Sequence, residues 1–284
     1  MNRETVVYSP AKINVHLDIK EPRPDGFHNI ISLFHKVDLY DEIKISSLKN
    51  ADNCSIIGDF DCPPADNLII KAARAFLDLA DIQTAYEFTV HKRIPAGAGL
   101  GGGSGNAAAV LNGLNQLNGE PLSMSELYRL GETLGSDVPF FLGGSSALVT
   151  GRGENLRELS PLKGFELVLV VPEIVISTKY AYELFDREGR VNNELDAEQV
   201  EKAYLQENCR DWPFFNSFWE TIGPKFSELN EAYRLLSEEN GDFISMSGSG
   251  SSVFGLFSDE NQAEKAFIRI KQRFNRVWKI KLLA

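Results

Sequence analysis

Cysteine is scarce in this chain. Among 284 residues only Cys54, Cys62 and Cys209 occur, odd in number and without C-x-x-C spacing, so neither a disulfide framework nor a thiolate zinc site is indicated. A Cys54 to Cys62 bridge is the one local pairing left open. Clustered positive charge is missing as well. Asp and Glu outnumber Lys and Arg by 40 to 29, for a net charge of -11, and no Lys/Arg run stands out. That disfavours nucleic acid and anionic membrane as partners, because both are bound through a concentrated basic face. No apolar run approaches the length of a membrane span, and the first residues lack the basic-then-apolar form of a secretory leader. A globular protein of the reducing cytoplasm is expected, working on small molecules, with any phosphate-binding potential concentrated locally. Also absent are a Ser-His-Asp elbow, an H-E-x-x-H pair and a Walker Lys-Ser or Lys-Thr.

What is present is glycine in one place. In IPAGAGLGGGSGNAA (94–108) five glycines fall within the seven positions Gly97 to Gly103. Glycine costs backbone entropy, so such a cluster implies positive φ angles or a ligand brought up to the peptide groups. Ala107, Val110, Leu111, Leu114 and Leu117 then recur at helical spacing until Asn118, Gly119 and Pro121 end the pattern. The loop therefore feeds a helix N-terminus, a natural anion site. GAGLGG (97–102) also fits the dinucleotide fingerprint, with Glu120 as its acid. However, Glu120 stands in a Gly-Glu-Pro turn, and a second helix follows where the fingerprint needs a strand. Phosphate loop, dinucleotide site and unliganded flexible turn remain the three readings of this stretch.

Around it, residues 5–19 alternate, with Ile13, Val15, Leu17 and Ile19 on one face and Lys12, Asn14, His16 and Asp18 on the other, which predicts a half-buried strand. The turn at Arg23 to Gly26 leads into two strand-like runs, 30–37 and 42–46. Residues 49–65 read as a loop ending at Asp66, the expected cap of a helix carrying Leu68, Ile69, Ala72, Phe76 and Leu79. A strand over 87–94 delivers the glycine loop. Ser123 with Glu126 forms a capping box for a helix closed by Gly135. A strand over 146–150 and the turn Gly151-Arg152-Gly153 finish a first domain. From Phe165, with helices expected near 178–185, 194–207, 225–239 and 261–274, removal of the central helices leaves strand-helix-strand-strand-helix-strand, the ferredoxin-like order.

Four features outside the loop have both a plain and a chemical reading. SGSGSS (247–252), with Ser247, Gly248, Ser249 and Gly250, is a second amide nest or an ordinary hairpin loop. Lys12 is a solvated strand lysine or a cation for phosphate. Asp137 is a helix cap or a base. His28 is a surface histidine or a ligand contact. Together they are what phosphoryl transfer requires: amides around a triphosphate, a cation, and a carboxylate facing an attacking hydroxyl.

In order and spacing, PAKIN (10–14), the 94–108 run, LGSDVPFF (134–141) and SGSGSS resemble the motifs of the GHMP kinase superfamily. RPDGFH (23–28), DNLIIKAAR (66–74) and HKRIPAGAGLGGGS (91–104) narrow the resemblance to the branch that phosphorylates a cytidine diphosphate-linked methylerythritol on its C2 hydroxyl. The resemblance implies an α+β, two-domain GHMP kinase fold. Residues 1–158 would form an N-terminal, ribosomal-protein-S5-domain-2-like, ATP-binding domain, and residues 159–284 a C-terminal ferredoxin-like domain. It further implies ATP as co-substrate, Mg²⁺, and a monomer or homodimer. Lys12 and Asp137 would be the catalytic pair. Pro95, Ala96, Gly97, Ala98, Gly99, Leu100, Gly101, Gly102, Gly103 and Ser104 would wrap the nucleotide phosphates with Asn106 near them, and Asn67, Lys92 and Ile94 would lie on the adenine side. Ser104 would be the Mg²⁺ hydroxyl. Phe27 and Tyr182 would sandwich the cytosine, His28 would bond its edge, and Asn14 and Thr178 would complete the substrate contacts. Three positions depart from the family's habit: Phe27 stands for a tyrosine, Gly105 for a serine, and of an Asn-Asp-x-x-Glu segment only Asn216 remains, followed by Ser217 and Phe218.

Overall fold

A computed structural model describes residues 3–49, 53–189, 195–206 and 208–284. The chain divides into two compact units, Met1–Ala11 with Leu39–Ala96 and Gly101–Gly144, and Lys12–Asp38 with Gly97–Leu100 and Ser145–Ala284. Two long strands, β1 (Glu4–Pro22) and β2 (His28–Ser47), contribute residues to both.

In the first unit the later half of β2 pairs antiparallel with β4 (Tyr86–His91) through Glu42 to Ser47, and β4 pairs parallel with β3 (Ser55–Ile57). Its α-helices among the described residues are α1 (Leu68–Leu79), α2 (Gly102–Leu117), α3 (Met124–Leu134) and α4 (Val138–Leu142). The apolar stripes read from the sequence are the buried ones: Ile69, Ala72 and Phe76 of α1, and Ala107, Val110, Leu111 and Leu114 of α2, with Ile43, Ile45 and Phe88 of the strands. Each large side chain removed from water this way is worth about 1.5–3 kcal/mol. The Ser123–Glu126 capping box is formed and Gly135 caps α3.

Several boundaries differ from expectation. Runs 30–37 and 42–46 are one strand, because the alternation continues through buried Leu39 and Asp41; a buried acid at that point reads in sequence as a break. The 49–65 loop contains β3, and its residues 50–52 lie outside the described residues. Asn67, one position past Asp66, caps α1, its side chain accepting from the Ile69 amide at 2.9 Å.

In the second unit β5 (Ser146–Gly151) pairs antiparallel with β2 through Ile30 to His35, and with β6 (Asn155–Glu158), a short strand hidden in sequence by its polar side chains. The strands β7 (Glu166–Val170), β8 (Phe243–Met246), β9 (Val253–Phe257) and β10 (Val277–Lys281) form an antiparallel sheet in the order β10-β7-β9-β8. With α5 (Thr178–Glu188) after β7 and α9 (Glu260–Lys271) after β9, this is the ferredoxin-like arrangement. Between them run α6 (Ala197–Tyr204), α7 (Trp219–Ile222) and α8 (Ser227–Glu238). Positions 194 and 207, the expected ends of α6, lie outside the described residues.

The β1 strand is not half-buried. From Ala11 to Ile19 both faces are covered, including Lys12, Asn14, His16 and Asp18. Burial of polar groups requires partners, and β1 has them: Lys12 Nζ bonds Asn14 Oδ1 at 2.6 Å, the Phe215 amide donates to His16 Nδ1 at 3.3 Å, and Asp18 pairs with Lys20 at 2.5 Å. Burial holds the His16 imidazole neutral, its pKa lowered to about 3 with the charge of Lys20 adding to the effect, and it pushes the Asp18 carboxyl up.

Candidate functional site

The glycine run has the backbone its composition demands. Gly97, Gly99 and Gly101 have φ of 65°, 76° and 68°, while Ala98 and Leu100 between them do not enter the left-handed region. Such alternation turns amides toward a common concavity, an anion nest. Gly101 is the N-cap of α2 and offers no side chain, so the first amides of a 16-residue helix are left for an external acceptor. Glu120 sits in a left-handed turn at φ 58°, ahead of α3, where no ribose acid of a dinucleotide site belongs.

Within the first unit, the approach to this loop is fixed by Asp41. Its fully buried carboxylate accepts from the Arg93 amide at 2.7 Å, from the Ile94 amide at 2.9 Å, and from Lys92 Nζ. Lys92 and Ile94 in turn lie against the start of α2: a Cβ on Gly102 would be 2.9 Å from Ile94 Cγ2 and 3.5 Å from Lys92 Nζ. Pro95 is half-buried and Ala96 exposed, whereas Asn67 spends its side-chain oxygen on the α1 cap. Ser104 is half-buried in the first turn of α2. Asn106 is buried there, its Oδ1 without a hydrogen-bond partner among the described residues. Gly105 has a physical reason to lack a side chain: a Cβ would lie 2.7 Å from Ser9 Oγ and 2.9 Å from the Pro10 carbonyl oxygen. Asp137 is half-buried at the N-cap position of α4, and its carboxylate makes no capping bond to that helix.

In the second unit, Lys12, Asn14, Gly99 and Ser247 come together. The Lys12 amide donates to the Leu100 carbonyl at 2.9 Å, and its ammonium stands 4.1 Å from the Phe34 ring centroid. The Asn14 amide donates to Ser247 Oγ at 3.1 Å, and Asn14 Nδ2 to Ser32 Oγ at 3.0 Å. Ser247 Oγ donates to the Gly99 carbonyl at 2.8 Å, and the Ser252 amide to the Ala98 carbonyl at 3.2 Å. The SGSGSS turn is therefore fastened to residues 98–99. Gly248 and Gly250, at φ 56° and 85°, let it bend, and Ser249 Oγ meets Thr178 Oγ1 at 3.2 Å. Asn216, the remnant of the departed motif, braces the turn through Nδ2 to the Met246 and Gly248 carbonyls at 2.6 and 2.9 Å.

Also in this unit, Phe27 projects at 56% exposure after the Arg23 to Gly26 turn. His28 is buried and stacks on Tyr182, with centroids 5.5 Å apart and 23° between planes. Its Nδ1 donates to the Lys20 carbonyl at 2.7 Å, and its Nε2 lies 2.8 Å from Asp186 Oδ1. Sequence reasoning missed Asp41, Ser9 and Asp186, which meet the site residues only through tertiary packing.

The comparisons with known proteins bear on the whole length. Residues 67–145 match the GHMP kinases N-terminal domain and residues 194–276 the GHMP kinases C-terminal domain. The 4-diphosphocytidyl-2-C-methyl-D-erythritol kinase of Treponema pallidum (strain Nichols) is 35% identical over 272 residues, which cover 93% of this chain and 94% of the relative. A crystal structure of 4-(cytidine 5'-diphospho)-2C-methyl-D-erythritol kinase superposes with a TM-score of 0.85 at 30% identity, covering 99% of this chain and 100% of the other. Homoserine kinase from Cytophaga hutchinsonii, at 18% identity and a TM-score of 0.76 over 99% of this chain and 95% of its own, shares the fold. The chain belongs to the GHMP kinases and, among them, to the 4-diphosphocytidyl-2-C-methyl-D-erythritol kinase family.

Proposed function

We propose that this chain transfers the γ-phosphate of ATP to the C2 hydroxyl of 4-diphosphocytidyl-2-C-methyl-D-erythritol, a step of the non-mevalonate route to isoprenoids. The observation that carries the reading is the alternating left-handed backbone at Gly97, Gly99 and Gly101 running into an α2 N-terminus that no side chain caps. Bare amides there suit a nucleotide's phosphates. Residues 1–158 serve ATP in this reading, and residues 159–284 supply the ferredoxin-like half.

Asp137 takes the proton of the C2 hydroxyl as it attacks, and Lys12 steadies the charge on the transferring group. General-base assistance of this kind is typically worth roughly 10² to 10⁴ in rate. Lys12 is suited to the task by its surroundings: its buried ammonium bonds the Asn14 amide oxygen and stands over the Phe34 ring, which fixes its orientation. Asn67, Lys92 and Ile94 flank the adenine. Mg²⁺ fits the first turn of α2, since it keeps most of its waters and the nucleotide's own oxygens and asks little of the protein; Ser104 and the unpartnered Asn106 Oδ1 would hold it, and it would neutralise phosphate charge. On the substrate side Phe27 stacks on the cytosine, where a base is worth about 1–3 kcal/mol. Tyr182 covers the opposite face, His28 exchanges its Asp186 contact for the base edge, and Asn14 and Thr178 meet the alcohol-bearing end.

A coupled assay offering ATP with the cytidine diphosphate substrate, mevalonate phosphate, homoserine and galactose side by side tests the assignment. Turnover is expected with the first alone. Faster turnover of any of the others would overturn it.

A further inference from the structure

We propose that Arg152 is a specificity-determining residue, its guanidinium taking the diphosphate of the cytidine diphosphate-linked substrate beside Phe27; this rests on the reading of Phe27 as the stacking partner of the base. The sequence demands some such group. A chain of net charge -11 must bind a substrate whose diphosphate is anionic, so a cation has to be placed where the nucleotide lies.

Two turns meet there. Ile30 pairs with Gly151 in the β2–β5 ladder, which brings the Arg23–Phe27 turn and the Gly151–Glu154 turn to the same end of the two strands. The second turn is built around its arginine. Gly151 and Gly153 take φ of 73° and 117°, and a Cβ on Gly151 would lie 2.7 Å from Glu154 Oε2. The Arg152 amide donates to the same Glu154 Oε2 at 2.5 Å, so the backbone is pinned while the side chain leaves the turn. Its Cζ stands 5.3 Å from the Phe27 ring centroid.

The two arginines at this end differ in what they have left to give. Arg23 is spent: its Nε reaches both Asp25 oxygens at 3.2 Å and its Nη1 reaches Asn29 Oδ1 at 2.8 Å. Arg152 Nε comes no nearer than 4.0 Å to Glu154 Oε1, and its Nη1 and Nη2 have no hydrogen-bond partner among the described residues. The carboxylates facing it are Asp25 and Glu154. The Asp25 carboxyl is held below its usual range by its hydrogen bond to Arg23 first, with the Phe27 amide and Arg152 adding to it. A planar fork with both terminal nitrogens open is suited to bidentate contact with a diphosphate, which lies one ribose away from a base stacked on Phe27.

The test is competitive inhibition by CDP and by cytidine, measured on the wild type and on Arg152→Ala, Arg152→Lys and Phe27→Ala, with the KM for ATP alongside. Arg152→Ala is expected to weaken CDP by roughly tenfold or more while leaving cytidine and the KM for ATP unchanged, and Arg152→Lys to recover only part, since it restores charge without the fork. Equal weakening of CDP and cytidine, or none of either, would overturn the proposal. Phe27→Ala reports separately on the base: it should weaken both inhibitors alike, and unchanged cytidine binding in that variant would sink the stacking reading whatever Arg152→Ala shows.

Discussion

The Ser247 hydroxyl donates to the Gly99 carbonyl at 2.8 Å across 148 residues of sequence, and the Ser247 carbonyl oxygen lies where a Gly99 side chain would begin, 2.0 Å from an added Cβ. One glycine turn is thus the floor of the other. Gly99→Ala meets two penalties, a left-handed φ that costs an L-residue about 1–2 kcal/mol and a backbone collision with no flexible atom to yield. Gly97→Ala meets only the first, because its nearest neighbour would be Val175 Cγ1 at 3.8 Å. Gly99→Ala should therefore lower both the melting temperature and the affinity for ATP, the latter by more than about tenfold, with Gly97→Ala clearly milder on both. Equal losses would mean that Ser247 does not support the loop.

Gly105 and Ser9 make a second such pair. A serine at 105 would press on Ser9 Oγ from 2.7 Å and on the Pro10 carbonyl from 2.9 Å. Overpacking of this kind costs typically about 1–3 kcal/mol. Gly105→Ser should lose stability on that scale in urea titration, and Ser9→Ala in the same chain should return part of it. Strict additivity of the two changes would show that the hydroxyl is not the obstacle.

Asp41, itself fully buried, gathers two amides and one ammonium. Asp41→Ala leaves the buried Ile94 amide unmatched, at about 1–3 kcal/mol, and takes the carboxylate from half-buried Lys92 and from the Arg93 amide. Because Lys92 and Ile94 lie against Gly102, the kinetic effect should fall on the KM for ATP and spare the KM for the alcohol. Thermal melts together with two-substrate kinetics separate this outcome from general unfolding, which would depress the amount of active enzyme without changing either constant.

Asp137→Asn keeps size and most polarity and removes the carboxylate proposed above as the proton acceptor. The expected result is a fall in kcat by at least about 10² with ATP binding little changed in calorimetry. Retention of full turnover would remove Asp137 from the role of base.

How far these relationships were legible in sequence depended on their range. The helical spacing of Ala107 to Leu117, the Ser123–Glu126 box and the strand-helix order after Phe165 are local patterns, and each appears in the structure where its residues predict. The glycine run announced left-handed backbone, seen at Gly97, Gly99 and Gly101, because positive φ is a property of single residues. Its support was hidden: nothing in the composition joins Gly99 to Ser247 or Gly105 to Ser9, since such contacts are set by tertiary packing. Asp41 misled outright, because propensity treats an acid in a strand as an interruption, whereas here three donors compensate its burial. Short β3 and β6 failed for a related reason, their side chains being half-exposed or exposed and so without an apolar pattern.

Two buried histidines, His16 and His35, make folding less favourable in acid. His35 Nδ1 donates to the Lys36 carbonyl at 2.9 Å and its Nε2 accepts from the Leu162 amide at 3.0 Å, so the imidazole is held in its neutral form. Burial lowers its pKa from 6.5 to about 4, and that of His16 to about 3. Both folded values lie below the unfolded one, so the stability these groups contribute is complete above pH 6.5 and is lost as pH falls toward 4, where the unfolded chain takes up protons that the folded chain refuses. Each such group tilts stability by up to about 1.4 kcal/mol per pH unit in that window. His35→Gln offers one donor and one acceptor without titrating. Its urea midpoint should fall less steeply than the wild type's between pH 6 and pH 4.5, and the two should run parallel above pH 7. Identical slopes in the acid range would show that His35 is not among the groups whose protonation unfolds the chain.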